Sequence, residues 1–137
     1  MNWTSKRRSA SLDNSTYRSR FEQRVAEKLE EQRVPYEYEK HKIEYQVPSR
    51  TSKYLPDFKL PNQIYIEAKG RFDAPDRAKH ILIKEQHPEI DIRFVFMNSK
   101  TKLYKGSPTT YASWCNKHGF QFAEKFVPHD WIKEKPK

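Results

Sequence analysis

The stretch from 64 to 97 constrains this chain more than any other, because a strand pattern, a capped helix pattern and a second strand pattern follow one another directly. Ile64, Ile66 and Ala68 alternate with Tyr65, Glu67 and Lys69, the period of a strand with two unlike faces. "DAPDRAKHILIKEQHP" (73–88) offers Asp73 as an N-cap, proline in the first turn, an apolar set of Ala78, Ile81 and Leu82, and a stop at His87 and Pro88. "IDIRFVFM" (90–97) alternates Ile90, Ile92, Phe94 and Phe96, but Val95 and Met97 are apolar too, which predicts a central strand buried on both faces. A helix crossing between the two strands leaves them parallel, whereas the short connections before it demand antiparallel pairing. The expected fold class is α/β, a mixed β-sheet flanked by helices.

The remaining segments fit around that unit. Residues 1–18 form a basic N-terminal arm without periodicity, flexible by expectation, and the folded domain runs from 19 to 137. A first helix starts at Ser19, with Phe21, Val25 and Leu29 recurring every four residues and Pro35 beyond its end. "PYEYEKHKIEYQVP" (35–48) predicts one long or two broken strands, and the polar "PSRTSK" (48–53) interrupts the pattern. "YLPDFKLPN" (54–62) reads as a further short strand, with Pro56, Phe58 and Leu60 on one side and Leu55, Asp57 and Lys59 on the other. A third helix is expected over 108–118, ending at Gly119, then a short "FQF" strand (120–122) and a helical turn in "PHDWIKE" (128–134).

Length and charge narrow the function. A 137-residue chain is one domain and buries roughly two-thirds of its unfolded surface, so it needs no covalent staples. The net charge of +9 favours polyanionic partners, with nucleic acid first, since cationic side chains release counterions from a phosphate backbone. Membrane association is disfavoured, for want of a long basic amphipathic helix or an apolar span. Cys115, the one cysteine, excludes an intrachain disulfide and a four-cysteine zinc site, and suits the reducing cytoplasm. KRR at 6–8 is not followed by the apolar region of a signal peptide. His41, His80, His87, His118 and His129 show no zinc spacing, and surface or polar-core roles are expected for them.

The charged face of the 64–69 strand is the chemical signal. Glu67 and Lys69 share it, and Asp57 on the preceding strand can converge on them. Phosphodiester hydrolysis requires neutralised phosphate oxygens and an activated water, work that hard oxygen ligands around magnesium or manganese perform. Asp57, Glu67 and the carbonyl of Ala68 supply such oxygens. Lys69 would orient the water, accept its proton if its pKa is depressed, or stabilise transition-state charge. An exposed charge pair on a solvated strand is the plain alternative. Glu22 has two readings as well: the fourth residue of an S-x-x-E capping box, or a further carboxylate brought from the first helix. Arg20, Arg77, Lys79, Lys102 and Lys105 are candidate phosphate contacts.

With "FEQRVAEKLEEQ", "YLPDFKLPN", "IYIEAKG", "KHILIKEQHPEIDIRFVF", "TKLYKGSPT" and "WIKE" in this order and spacing, the chain resembles the PD-(D/E)xK nuclease superfamily, and within it the phage endonuclease I family of Holliday junction resolving enzymes. The resemblance implies a restriction-endonuclease-like fold and a magnesium-dependent, structure-selective endonuclease acting on four-way and other branched DNA. It assigns Asp57, Glu67, the Ala68 carbonyl and Glu22 to metal binding, and Glu22, Asp57, Glu67 and Lys69 to catalysis, with one or two ions of Mg2+ (or Mn2+ as substitute). It also implies an intertwined, domain-swapped homodimer, exchanging residues 19–47 through a bridge near 47–53 ("VPSRTSK"), in the host cytoplasm of a phage. A non-catalytic DNA-binding protein on the same scaffold, and a nuclease without junction selectivity, are the competing readings.

Overall fold

In the computed structural model, described over residues 17–47 and 49–137, the doubly buried strand sits inside a five-stranded sheet. The elements run α1 (Arg20–Glu31), β1 (Glu37–Tyr38), β2 (Ile43–Val47), β3 (Arg50–Tyr54), β4 (Phe58–Lys59), β5 (Ile64–Lys69), α2 (Ala74–Gln86), β6 (Asp91–Phe96), α3 (Tyr111–His118), β7 (Phe122–Glu124) and α4 (His129–Lys133). The sheet order is β1-β4-β5-β6-β7. β1, β4 and β5 pair antiparallel, and β6 pairs parallel with β5 and β7. This is the mixed sheet expected from the strand–helix–strand unit. β2 and β3 stand apart as an antiparallel hairpin.

Alternation along β6 divides the core. Val95 faces α1 with Phe21, Val25, Ala26, Leu29, Phe58 and Ile66, while Phe94 and Phe96 face α3 with Phe72, Trp114 and Phe120. Arg93 is buried on the α1 side, its guanidinium bonded to Asp91 and Glu134 and 5.3 Å from the Trp131 ring centre. Asn62 donates to the carbonyls of Trp131 and Glu134. "WIKE" and the asparagine of "LPN" are thereby clasps that hold the C-terminal turn against the sheet.

Several boundaries differ from expectation. Tyr17 and Arg18 belong to the folded domain: the Tyr17 hydroxyl is 2.6 Å from that of Tyr36, and only residues 1–16 of the expected arm lie outside the described residues. Residues 50–53, part of the stretch expected to interrupt the strands, form β3 together with Tyr54; their polar composition reflects a hairpin strand that buries only Tyr54. The apolar face of α2 is not Ala78, Ile81 and Leu82. His80 and Ile83 are its fully buried pair, Ile81 and Leu82 flank them toward different clusters, and Ala78 is exposed. β7 starts at Phe122, two residues later than expected, because Phe120 stacks on Trp114 just after the left-handed Gly119.

Candidate active site

β4 begins after Asp57, so its ladder with β5 stops at Phe58 opposite Ile66 and the next outward amide of β5, that of Ala68, has no strand partner there. The Asp57 carboxylate takes that place: Oδ2 accepts the Ala68 N–H at 2.9 Å. In a strand the N–H and C=O of one residue point to the same edge, so the Ala68 carbonyl is directed toward Asp57 as well. The proline-led start of β4 thus fixes one carboxylate against the C-terminal end of β5.

Two groups of charge meet at this edge. The first surrounds Arg18. Its Nη2 lies 3.1 Å from Asp57 Oδ1 and 3.5 Å from Glu22 Oε2, and its Nε lies 2.7 Å from Glu39 Oε2. Ligand oxygens of Glu22, Glu39 and Asp57 all fall within 4.8 Å of one another. Glu39 Oε2 is buried, and despite the short separation from Arg18 it receives no aligned hydrogen bond from the described residues. The second group surrounds Lys69, whose Nζ lies 3.3 Å from Glu67 Oε2 and 3.5 Å from Asp76 Oδ2. The Tyr54 hydroxyl donates to Glu67 Oε1 at 2.6 Å.

Local sequence explains these positions. Ser19 caps α1, its Oγ accepting the Glu22 N–H at 3.0 Å, so half of the predicted capping box forms. The glutamate half departs from it. Glu22 Oε1 accepts the backbone N–H of Arg18 at 3.1 Å, together with the Tyr38 hydroxyl, which leaves the carboxylate facing Asp57. Glu39 follows β1 with φ of 51°, in the left-handed region, and its N–H donates to the Asp57 carbonyl at 3.2 Å. Four carboxylates, Glu22, Glu39, Asp57 and Glu67, thus come from α1, the end of β1, the start of β4 and from β5.

Burial and charge set the protonation states. Burial raises the Asp57 pKa well above the usual carboxylate value, Glu67 and Glu22 push it further, and the Ala68 amide and Arg18 only partly offset this. Burial pulls Lys69 down, but Glu67, Asp76 and Asp57 outweigh it and hold the ammonium above the ordinary lysine range. The depressed lysine that a general base needs is therefore not what the protein alone provides; Lys69 is a cation here. Burial and Glu67 keep the Tyr54 hydroxyl protonated.

Glu22, Asp57, Glu67 and Lys69, chosen from sequence, do come together. Glu39, Tyr54, Asp76 and Arg18 were missed. Glu39 and Tyr54 carry the period of their strands and look like ordinary surface and core positions, and Asp76 looks like a first-turn helix residue. Of the proposed DNA contacts, Arg20 is exposed at the start of α1, and Lys79 lies at the rim, 5.2 Å from the Tyr54 ring centre and 4.0 Å from Asp76. Lys102 and Lys105 are exposed on the loop that leaves the same end of the sheet after β6. Arg77 differs: its guanidinium donates to the Phe72 carbonyl at 2.7 Å, a bond that ties α2 to the preceding loop. Cys115 is buried with its thiol pushed up to about 12 by burial, a packing residue. His80 is buried among aromatic rings and not in a polar setting.

The comparisons with known proteins point the same way. Residues 1–137 match the family described as Phage endonuclease I. This chain belongs to the phage endonuclease I family. It is 52% identical over 121 residues to "Endonuclease I" of Escherichia phage T7, covering 88% of this chain and 81% of that protein. "Endodeoxyribonuclease 1" of Enterobacteria phage T3 is 51% identical over 121 residues, 88% of this chain and 80% of that relative. Among the described residues, no helix is long and apolar enough to cross a membrane.

The donor set suits a divalent ion. Among the described residues, all candidate ligands are hard oxygens, Glu39 holds a buried oxygen without an aligned donor, and the five carboxylates at this edge outnumber Arg18, Lys69 and Lys79.

Proposed function

We propose that this protein is a magnesium-dependent endodeoxyribonuclease that resolves four-way and other branched DNA junctions by phosphodiester hydrolysis. The observation that carries the reading is the meeting of Glu22, Asp57, Glu67 and Lys69, from three separate elements, at the one edge of β5 where the β4 ladder has stopped. Glu22, Asp57, Glu67 and the Ala68 carbonyl, joined by Glu39, are the groups that would hold Mg2+, or Mn2+ as a substitute. A bound ion supplies a water of lowered pKa and neutralises phosphate oxygens.

The chain's own residues do the rest. Lys69, held protonated by Glu67 and Asp76, places a positive charge beside the scissile phosphate and stabilises the charge that builds in the transition state. Tyr54 fixes the Glu67 carboxylate, and the Ala68 amide fixes Asp57, so neither must reorganise during reaction. Arg20, Lys79, Lys102 and Lys105 offer phosphate contacts around the rim, which read the path of the strands and not their bases.

The proposal extends to an intertwined homodimer. Glu22 and Glu39 lie before the β2–β3 hairpin, while Asp57, Glu67 and Lys69 lie after it. Exchange of residues 19–47 about the segment 47–53 would rebuild the same site from two chains. Within the described chain both parts come from one copy, with β1 paired to β4 and residues 43–47 paired to 50–54. Two sites related by a two-fold axis would cut a branched substrate symmetrically.

The test is cleavage of a four-way junction beside a plain duplex, with and without magnesium, by wild type and Lys69→Ala. Loss of the Lys69 charge is expected to cost about a hundredfold or more in rate. A variant as fast as wild type removes Lys69 from catalysis. Equal cutting of duplex leaves a general nuclease, and no cutting of either with magnesium leaves a DNA-binding protein.

A further inference from the structure

Arg18 presents a contradiction that ordinary packing does not explain. Its guanidinium makes ion pairs with three carboxylates from three elements, yet its side chain is 65% exposed. A residue that served only to hold the fold together would be expected to lie deeper. Its backbone, by contrast, is fixed: the Arg18 N–H donates to both Glu22 Oε1 and the Tyr38 hydroxyl at 3.1 Å, next to the buried Tyr17. The main chain is anchored at the site while the charged end can leave it without disturbing the core.

We propose that Arg18 is a positioning residue that acts as the tethered cation of the ion-free site, competing with the divalent ion for Glu22, Glu39 and Asp57. This rests on the reading of those carboxylates as metal ligands. One guanidinium serves three carboxyl groups, so Arg18 satisfies the group only in part and keeps its oxygens gathered. Its hold is weak in free energy, because solvent screens an ion pair whose cation is two-thirds exposed. The Glu39 contact is close but misaligned, the arrangement of a cation collecting oxygens and not of a bidentate clamp. A doubly charged ion with hard-oxygen preference displaces it, and the anchored backbone keeps the released guanidinium beside the site. The carboxylates themselves hold Arg18 charged against the effect of burial, so it does not escape by losing its proton.

The experiment is calorimetric titration of manganese into the DNA-free protein for wild type, Arg18→Gln, Arg18→Lys and Asp57→Asn. Removing the competitor is expected to tighten manganese binding by about tenfold, equivalent to about 1.4 kcal/mol. Arg18→Lys, which keeps the charge, is expected to stay near wild type, and Asp57→Asn to lose binding. If wild type takes up no manganese, the metal reading beneath this inference fails. If wild type binds and Arg18→Gln binds equally or more weakly, only the competition by Arg18 is overturned, because a residue that merely shaped the site would leave affinity unchanged or reduce it.

Discussion

Asp57→Asn tests the electrostatics of the site without any substrate, and its expected effect runs against intuition: the variant should be more stable than wild type when no divalent ion is present. Asp57 lies within 4.8 Å of ligand oxygens on Glu22 and Glu39. Two unit charges at that separation repel by about 3 kcal/mol at an effective dielectric near 20, so two neighbours oppose Asp57 by several kcal/mol. Arg18 attracts it from 3.1 Å, but exposed pairs of this kind deliver only about 1 kcal/mol or less. Protonation caps the penalty, since a carboxyl with an ordinary pKa of 3.8 can be neutralised at pH 7 for about 4 kcal/mol. Asparagine keeps an oxygen for the Ala68 amide and loses the Arg18 contact, which leaves a gain of about 1–3 kcal/mol, or roughly 3–10 °C in Tm for a chain of this length.

The pH dependence follows from the same shift. Folding raises the Asp57 pKa, so the folded state holds the extra proton, and the contribution of the neutral acid is fully present below pH 3.8 and lost as pH rises through the folded value. Wild type and Asp57→Asn should therefore converge toward pH 4 and diverge toward pH 8. Thermal unfolding in EDTA across that range is the assay, repeated with magnesium, which should raise the Tm of wild type and not that of the variant. A variant no more stable than wild type in EDTA at pH 8, or a difference independent of pH, would refute the reasoning.

Three further outcomes are expected. Co-expression of Glu22→Gln with Lys69→Ala should restore nicking at about a quarter of the sites if residues 19–47 are exchanged, because a mixed dimer then carries one intact site; activity no higher than that of either variant alone argues for unexchanged protomers. His80 is buried with neither ring nitrogen partnered among the described residues, and burial, then Lys79 and Lys69, hold it neutral well below the usual 6.5. His80→Leu should gain about 1 kcal/mol in urea unfolding, and more below pH 6.5, where the unfolded histidine takes a proton that the folded one refuses; a loss at pH 5 would contradict this. Arg93→Met should destabilise the fold by removing the guanidinium that Asp91 and Glu134 share, and limited proteolysis should show the C-terminal turn released.

Local chemistry is what the sequence determined unaided. Ser19, Asp73 and Gly119 mark the ends of helices because a cap is a bond between residues a few positions apart, and β6 declares its double burial through Ile92, Phe94, Val95 and Phe96. The pairing of Glu67 with Lys69 followed from alternation alone. Only the tertiary structure decided what those groups face. Glu39 joins Glu22 and Asp57 through a left-handed residue after β1, Tyr54 reaches Glu67 from the hairpin, and Asp76 meets Lys69 from α2, none of which any periodicity records. Arg18 was hidden most completely, because at the edge of a basic arm its charge looks like solvated surface. Its role depends on where three carboxylates, distant along the chain, are brought by the sheet, and electrostatic energy follows distance in space, not separation in sequence.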